Sequence, residues 1–236
     1  MTDISFHDLA ALAWFVLWWG GYTYYADTTR RAARSLPAVM RRHREAWMLR
    51  LLRREARIVD TTIISAIMRS VSLFASTTIF ILAGLLAILG AMDKARALVQ
   101  DIPFVAEAST GQWELKILLL LVLFIYAFFK FAWSLRQFNY AVVLIGAAPP
   151  PDEADTPFAR DFARGAADVI SGAVLNFNRG MRTYYFGLAA LSWFLHPVLF
   201  ALVTVWVAGV VYRREFRSHT LTLLEGIPAP SDGENP

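Results

Sequence analysis

The chain contains no cysteine, only four histidines, and three lysines among its 23 basic residues. Without cysteine there is neither a disulfide framework nor a thiolate metal site. His7, His43, His196 and His219 fall in four separate segments, and no H-E-x-x-H or paired-acid motif occurs. Neither G-x-S-x-G nor a phosphate-binding glycine loop is present. The sequence therefore offers no catalytic residue, no metal site and no cofactor site, and it does not read as an enzyme.

What fills the 236 residues is apolar, with 57% hydrophobic side chains gathered in blocks rather than spread at helical period. Blocks of about 20 residues match the thickness of a bilayer core at about 1.5 Å rise per residue. They lie at about 6–25, 71–90, 113–146 and 183–212. Trp and Tyr cluster at block edges, where amphipathic rings favour the headgroup region. The first block has no basic segment before it and no small-residue cleavage pattern after it, so it reads as a first transmembrane helix.

Arginine supplies nearly all the positive charge, and residues 26–70 hold eleven of them. Ser35-Leu36-Pro37 is a helix start, and Met40, Trp47, Met48, Leu51, Leu52, Ile58, Val59 and Ile63 recur close to every 3.6 residues. This predicts a basic amphipathic helix over about 36–64. Pro149 to Pro151 break the chain, Thr156-Pro157 caps a second amphipathic helix over about 157–178, and Phe158, Phe162, Ala166, Val169, Ala173 and Phe177 form its apolar stripe. The fold class is all-α: a polytopic membrane helix bundle of about four transmembrane helices with two cytoplasmic amphipathic helices. It forms one domain over 1–225, followed by a disordered tail over 226–236.

Basic residues mark the cytoplasmic side. With the amino terminus outside, fifteen lie in inside loops and five outside, including Arg213, Arg214 and Arg217. A re-entrant hairpin at His196-Pro197 would bring those three inside and make the division eighteen to two. A block of about 30 residues, however, makes only about 45 Å of helix. The expectation is therefore one crossing, kinked at Pro197.

Polar residues inside these blocks are the candidate site residues. Ser192 and His196 flank the break in the fourth block, either as a proton-responsive or substrate-contacting pair or as a structural kink. The second block carries Thr61, Ser65, Arg69, Ser72 and Ser76 at helical spacing, followed by Ala83, Ala87 and Ala91. Such a face suits close helix packing, or a polar pore lining with Arg69, Ser72 and Ser76 exposed to the path. Arg41, Arg42, Arg50, Arg53 and Arg54 of the basic helix suit anionic lipid headgroups or an acidic partner protein. Arg179 and Arg182 lie in an Asn178–Tyr185 cluster at the same interface as the Tyr22–Asp27 cluster, where the two sets either form a snorkelling belt or converge on a headgroup or anion. The expected partners are membrane lipids and either further copies of the chain or another membrane protein. Nothing resembles a nucleic-acid fold.

Residues 179–186 (Arg-Gly-Met-Arg-Thr-Tyr-Tyr-Phe), Trp193-Phe194, Pro197 and 212–218 (Tyr-Arg-Arg-Glu-Phe-Arg-Ser) resemble the bacterial membrane proteins grouped as domain of unknown function 599. The order of apolar blocks and the basic first loop are also similar. The resemblance implies a bacterial inner-membrane protein and supplies no activity. The leading expectation is a self-associating pore or small transporter. The alternative is an accessory or scaffold subunit that gathers a partner or lipid through its basic helix.

Overall fold

The computed structural model describes residues 6–92, 94 and 109–227, and the expected tail lies outside them apart from Gly226 and Ile227. These residues fold into α1 (Phe6–Thr28), α2 (Leu36–Leu52), α3 (Ile58–Gly90), α4 (Thr110–Ala147), α5 (Pro157–Leu191), α6 (Pro197–Phe216) and α7 (His219–Glu225), with 3₁₀ turns at Arg30–Arg34, Pro151–Glu153 and Ser192–Phe194. Among the described residues there is no strand. Three stretches are long and apolar enough to cross a membrane: Ile58–Gly90, Thr110–Ala147 and Pro197–Glu225. The aromatic block in α1 falls outside that group. The chain forms two compact units.

The first unit comprises Met1–Thr28, Ala75–Phe129 and Arg179–Tyr212. Its core is aromatic. Phe15, Phe186 and Phe200 are fully buried and Trp193 almost so. Phe200 stacks on Phe15 at 5.1 Å and on Trp193 at 4.9 Å, while Phe186 meets Phe15 edge-on. Offset-stacked and edge-to-face pairs add roughly 0.5–1.5 kcal/mol each beyond area burial. The contacts also set direction. Asp8 bonds Trp193, Phe15 packs on Phe200, and Tyr25 reaches Tyr212, so α1 and α6 are parallel. Asp27 bonds Arg179 and Arg182 while Tyr22 meets Phe186, so α1 and the end of α5 are antiparallel.

The chain therefore reverses between Leu191 and Pro197. This corrects the expectation of one kinked crossing over 183–212. Residues 183–191 belong to a helix that starts at Pro157, 35 residues long, so the length missing for a hairpin is supplied from the amino-terminal side. The turn is built for reversal. Pro197 opens α6, where its lack of an N–H costs nothing, and the Val198 N–H donates to His196 Nδ1 at 3.1 Å. His196 thus sits where an N-cap residue sits.

The second unit comprises Thr29–Phe74, Lys130–Asn178 and Arg213–Pro236. The basic helix expected over 36–64 is interrupted at residues 53–57. There the chain turns, and Asp60, fully buried in the first turn of α3, accepts from Trp47 Nε1 at 2.6 Å and from Arg54. Arg57 donates to the carbonyls of Ile145, Ala148 and Pro149. These are orphan acceptors at the end of α4, which the following prolines prevent from continuing. The expected stripe on α5 is buried at Ala166 and Ala173, half-buried at Phe162, Val169 and Phe177, and fails at Phe158. Phe158 is 67% exposed, whereas Ala159, Ala163, Ala166, Ala167 and Ala173 are buried. Alanine lets neighbouring backbones approach closely, and Met48, Leu51, Leu52 and Ile145 close over this region. The short α7 packs on α2, with Leu221 buried.

The absence of native cysteine makes the reversal directly testable. An impermeant maleimide should label only one of the single Leu195→Cys and Arg213→Cys variants in intact cells, and the other only after the membrane is opened. Labelling of both from the same side would rule out the hairpin.

Candidate functional site

Two carboxylates stand near the ends of α1, nineteen residues apart, or about 28 Å along the helix. At one end, Asp8 is buried and accepts from Trp193 Nε1 at 2.7 Å and Gln112 Nε2 at 2.9 Å. Lys116, also buried, lies against the Trp193 and Phe194 rings at 5.7 and 5.9 Å. This arrangement ties the start of α1, the start of α4 and the α5–α6 turn together.

At the other end, the two clusters read from the sequence converge. Asp27 Oδ2 accepts from Arg179 Nε at 2.7 Å, and Oδ1 accepts from Arg182 Nη1 at 2.7 Å. The Arg182 side chain is 3% exposed, Asp27 8% and Arg179 29%. Arg182 also lies over the Tyr22 ring, 5.9 Å from its centroid. Spacing explains the pairing. Residues 179 and 182 are three apart on α5, so their side chains share one face and both reach a single carboxylate. Beside this cluster opens a recess of about 330 Å³ lined by Trp19, Gly20, Thr23, Tyr24, Asp27, Thr28, Tyr126 and Arg179. Trp19 and Tyr126 meet edge-on at 5.5 Å. The Trp19 Nε1–H is buried without a hydrogen-bond partner among the described residues.

The remaining sequence candidates are dispersed. Arg69 and Ser72 are exposed on α3 in the second unit, and Ser76 is exposed on α3 in the first. Ser192 Oγ donates to the Ala189 carbonyl at 2.6 Å, and the exposed His196 caps α6. Each is therefore engaged with local backbone. In the basic helix Arg41 pairs with Asp168, Arg53 with Asp155 and Arg54 with Asp60. Arg42 and Arg50 are exposed and make no ion pair among the described residues. Arg44, unremarked in the sequence, is buried without a carboxylate, and it donates to Ser171 Oγ and the Pro37 carbonyl. Burial, reinforced by nearby Arg41, pushes its guanidinium down to about 10, still fully charged at neutral pH. Sequence reasoning also passed over Asp8 and Trp193. An acid in the first turn of an otherwise apolar aromatic helix was the available signal.

The profile of a family described as "Protein of unknown function, DUF599" matches residues 10–220. The chain belongs to this family. The matched range includes Asp27, Arg179, Arg182 and the α5–α6 turn. No curated protein and no solved structure is similar to this DUF599 chain.

Removing one member of a buried ion cluster leaves the others uncompensated. Asp27→Ala should therefore cost about 3–5 kcal/mol by orphaning Arg182. Arg179→Ala, which removes the better-solvated partner, should cost about 1 kcal/mol. Thermal unfolding of the detergent-solubilised variants measures both, and equal losses would contradict the burial difference.

Proposed function

We propose that the chain is an integral protein of the bacterial inner membrane that crosses the bilayer five times. Its amino terminus is outside, and copies associate through α3 to form a small pore or transport path. The support for embedding is the outward apolar surface of the first unit: Leu17, Phe80, Leu118, Leu188 and Leu202 are each more than half exposed, one from every helical segment of that unit. Such a surface is a liability in water and the normal state in hydrocarbon. The distance of about 28 Å between Asp8 and Asp27 matches a bilayer core of about 30 Å. With α5 and α6 each crossing, Arg213, Arg214 and Arg217 return inside. Eighteen basic residues then face the cytoplasm and two the outside, a better fit to the positive-inside rule than four crossings give.

The observation that carries association is an uncovered polar and small-residue face on α3. Ser65, Arg69, Ser72, Ser76, Ala83 and Ala87 are exposed, while Ile64, Val71, Ala75, Thr78 and Leu85 are buried. In lipid, small residues and hydroxyls at helical spacing are where helices meet. Arg69 stands just before 23 residues without a charge, at the mouth rather than in the core, where it would attract anions. The exposed, unpaired Arg42 and Arg50 favour a second reading, an accessory subunit that holds a partner or anionic lipid on α2. Neither reading involves an enzymatic step.

Native mass spectrometry of the complex in nanodiscs separates the two. Association predicts a closed homo-oligomer, with disulfide-linked dimers formed by Ala83→Cys or Ala87→Cys under mild oxidation. A monomeric mass without cross-links would sink it, and a stoichiometric foreign chain would transfer the weight to the accessory reading.

A further inference from the structure

The recess beside Asp27 has the chemistry of a binding site, and nothing in the family description assigns it one. Asp27 and Arg179 line it, and the buried Arg182 also bonds Asp27, so two guanidinium groups stand against one carboxylate and leave one positive charge. Both Asp27 oxygens accept from an arginine, so its charge is matched and one guanidinium charge is left in excess. Arg179 bonds Asp27 through Nε, and its two Nη groups make no hydrogen bond among the described residues. The Thr23 hydroxyl proton goes to the Trp19 carbonyl at 2.8 Å, so Thr23 offers no donor. The Trp19 Nε1–H is the independent observation. A buried indole donor without a partner is rare. It lines the same recess as Arg179. Trp19 and Arg179 line one volume, with a single excess positive charge beside it and aromatic walls from Trp19, Tyr24 and Tyr126.

We infer that this recess binds a singly charged phosphate group that carries an apolar or uncharged body, with Arg179 Nη and Trp19 Nε1 donating to its oxygens. Guanidinium groups match phosphate geometry in bidentate fashion. The volume lies at the lower end of the range for small-molecule sites, enough for a headgroup with its flanking atoms. The same chemistry comes from two sources, the phosphodiester of an anionic phospholipid or a soluble phosphate compound. The lipid source rests on the membrane reading above, because it places Asp27 at the cytoplasmic border, at headgroup depth. Binding itself requires neither the pore nor the oligomer.

The full chain, purified and delipidated in detergent, is titrated with phosphatidylglycerol and, separately, with inorganic phosphate, and read by native mass spectrometry. One phosphatidylglycerol should be retained per chain. Arg179→Gln and Trp19→Phe should each weaken retention at least tenfold. Trp19→Phe keeps the aromatic wall and leaves the Asp27 cluster whole, so a merely structural role for this corner would leave its binding unchanged. Displacement of the lipid by millimolar inorganic phosphate identifies a soluble ligand, and retention in its presence identifies the lipid. The inference is overturned if neither probe saturates at one per chain, or if both variants bind as the native protein does.

Discussion

A carboxylate shared between two guanidinium groups holds α1 to α5, and much else in the first unit depends on it. Buried charges are tolerable only when paired and fully hydrogen-bonded, and Asp27 meets both conditions through Arg179 and Arg182. Because the two arginines sit three residues apart on α5, the pairing fixes the rotation of that helix as well as its height. That rotation turns Phe186 toward Phe15 and Tyr22. At the far end of α1, Asp8 does the equivalent work with neutral donors, Trp193 and Gln112. The helix is pinned at both ends, and the Phe15–Phe200–Trp193 stack fills the space between.

The two polar ends differ in kind. The Asp27 end carries an excess positive charge and an open recess. At the Asp8 end a buried lysine lies against two aromatic rings, and the carboxylate accepts from neutral groups. On the five-crossing reading this asymmetry coincides with the two faces of the membrane, cationic toward the cytoplasm and more nearly neutral outside.

Much of this was legible in the sequence because blocks of apolar residues and runs of arginine are local signals. The apolar parts of α1, α3 and α4 lie inside the helices found, and Thr156 caps α5 through a bond from the Ala159 N–H. The Tyr22–Asp27 and Asn178–Tyr185 clusters were both picked out in the sequence, but the bonding of Asp27 to Arg179 and Arg182 was not. What was not legible depended on distant contacts. The α5–α6 hairpin was set aside on length because the polar first half of α5 looked like a separate amphipathic helix. Distant contacts reveal the reversal, among them the Asp27–Arg179 and Asp8–Trp193 bonds, which join residues more than 150 positions apart. Likewise, the break at residues 53–57 answers to the buried Asp60 and to the α4 carbonyls that Arg57 satisfies, which no local periodicity records. The stripe on α5 erred at Phe158 and left out Ala159, Ala163 and Ala167, because phenylalanine outweighs alanine on hydropathy scales while close packing in the second unit selects the smaller residue.

That alanine seam has a practical consequence. Ala159, Ala163, Ala166, Ala167 and Ala173 are among the most buried residues of the second unit, yet a scan that truncates side chains has nothing there to remove. The seam carries its information as the absence of volume, so it responds only to enlargement, where overpacking forces backbones apart at about 1–3 kcal/mol per site. Variant libraries built on deletion of side-chain atoms would therefore chart the aromatic core of the first unit in detail and leave this part of the second unit blank.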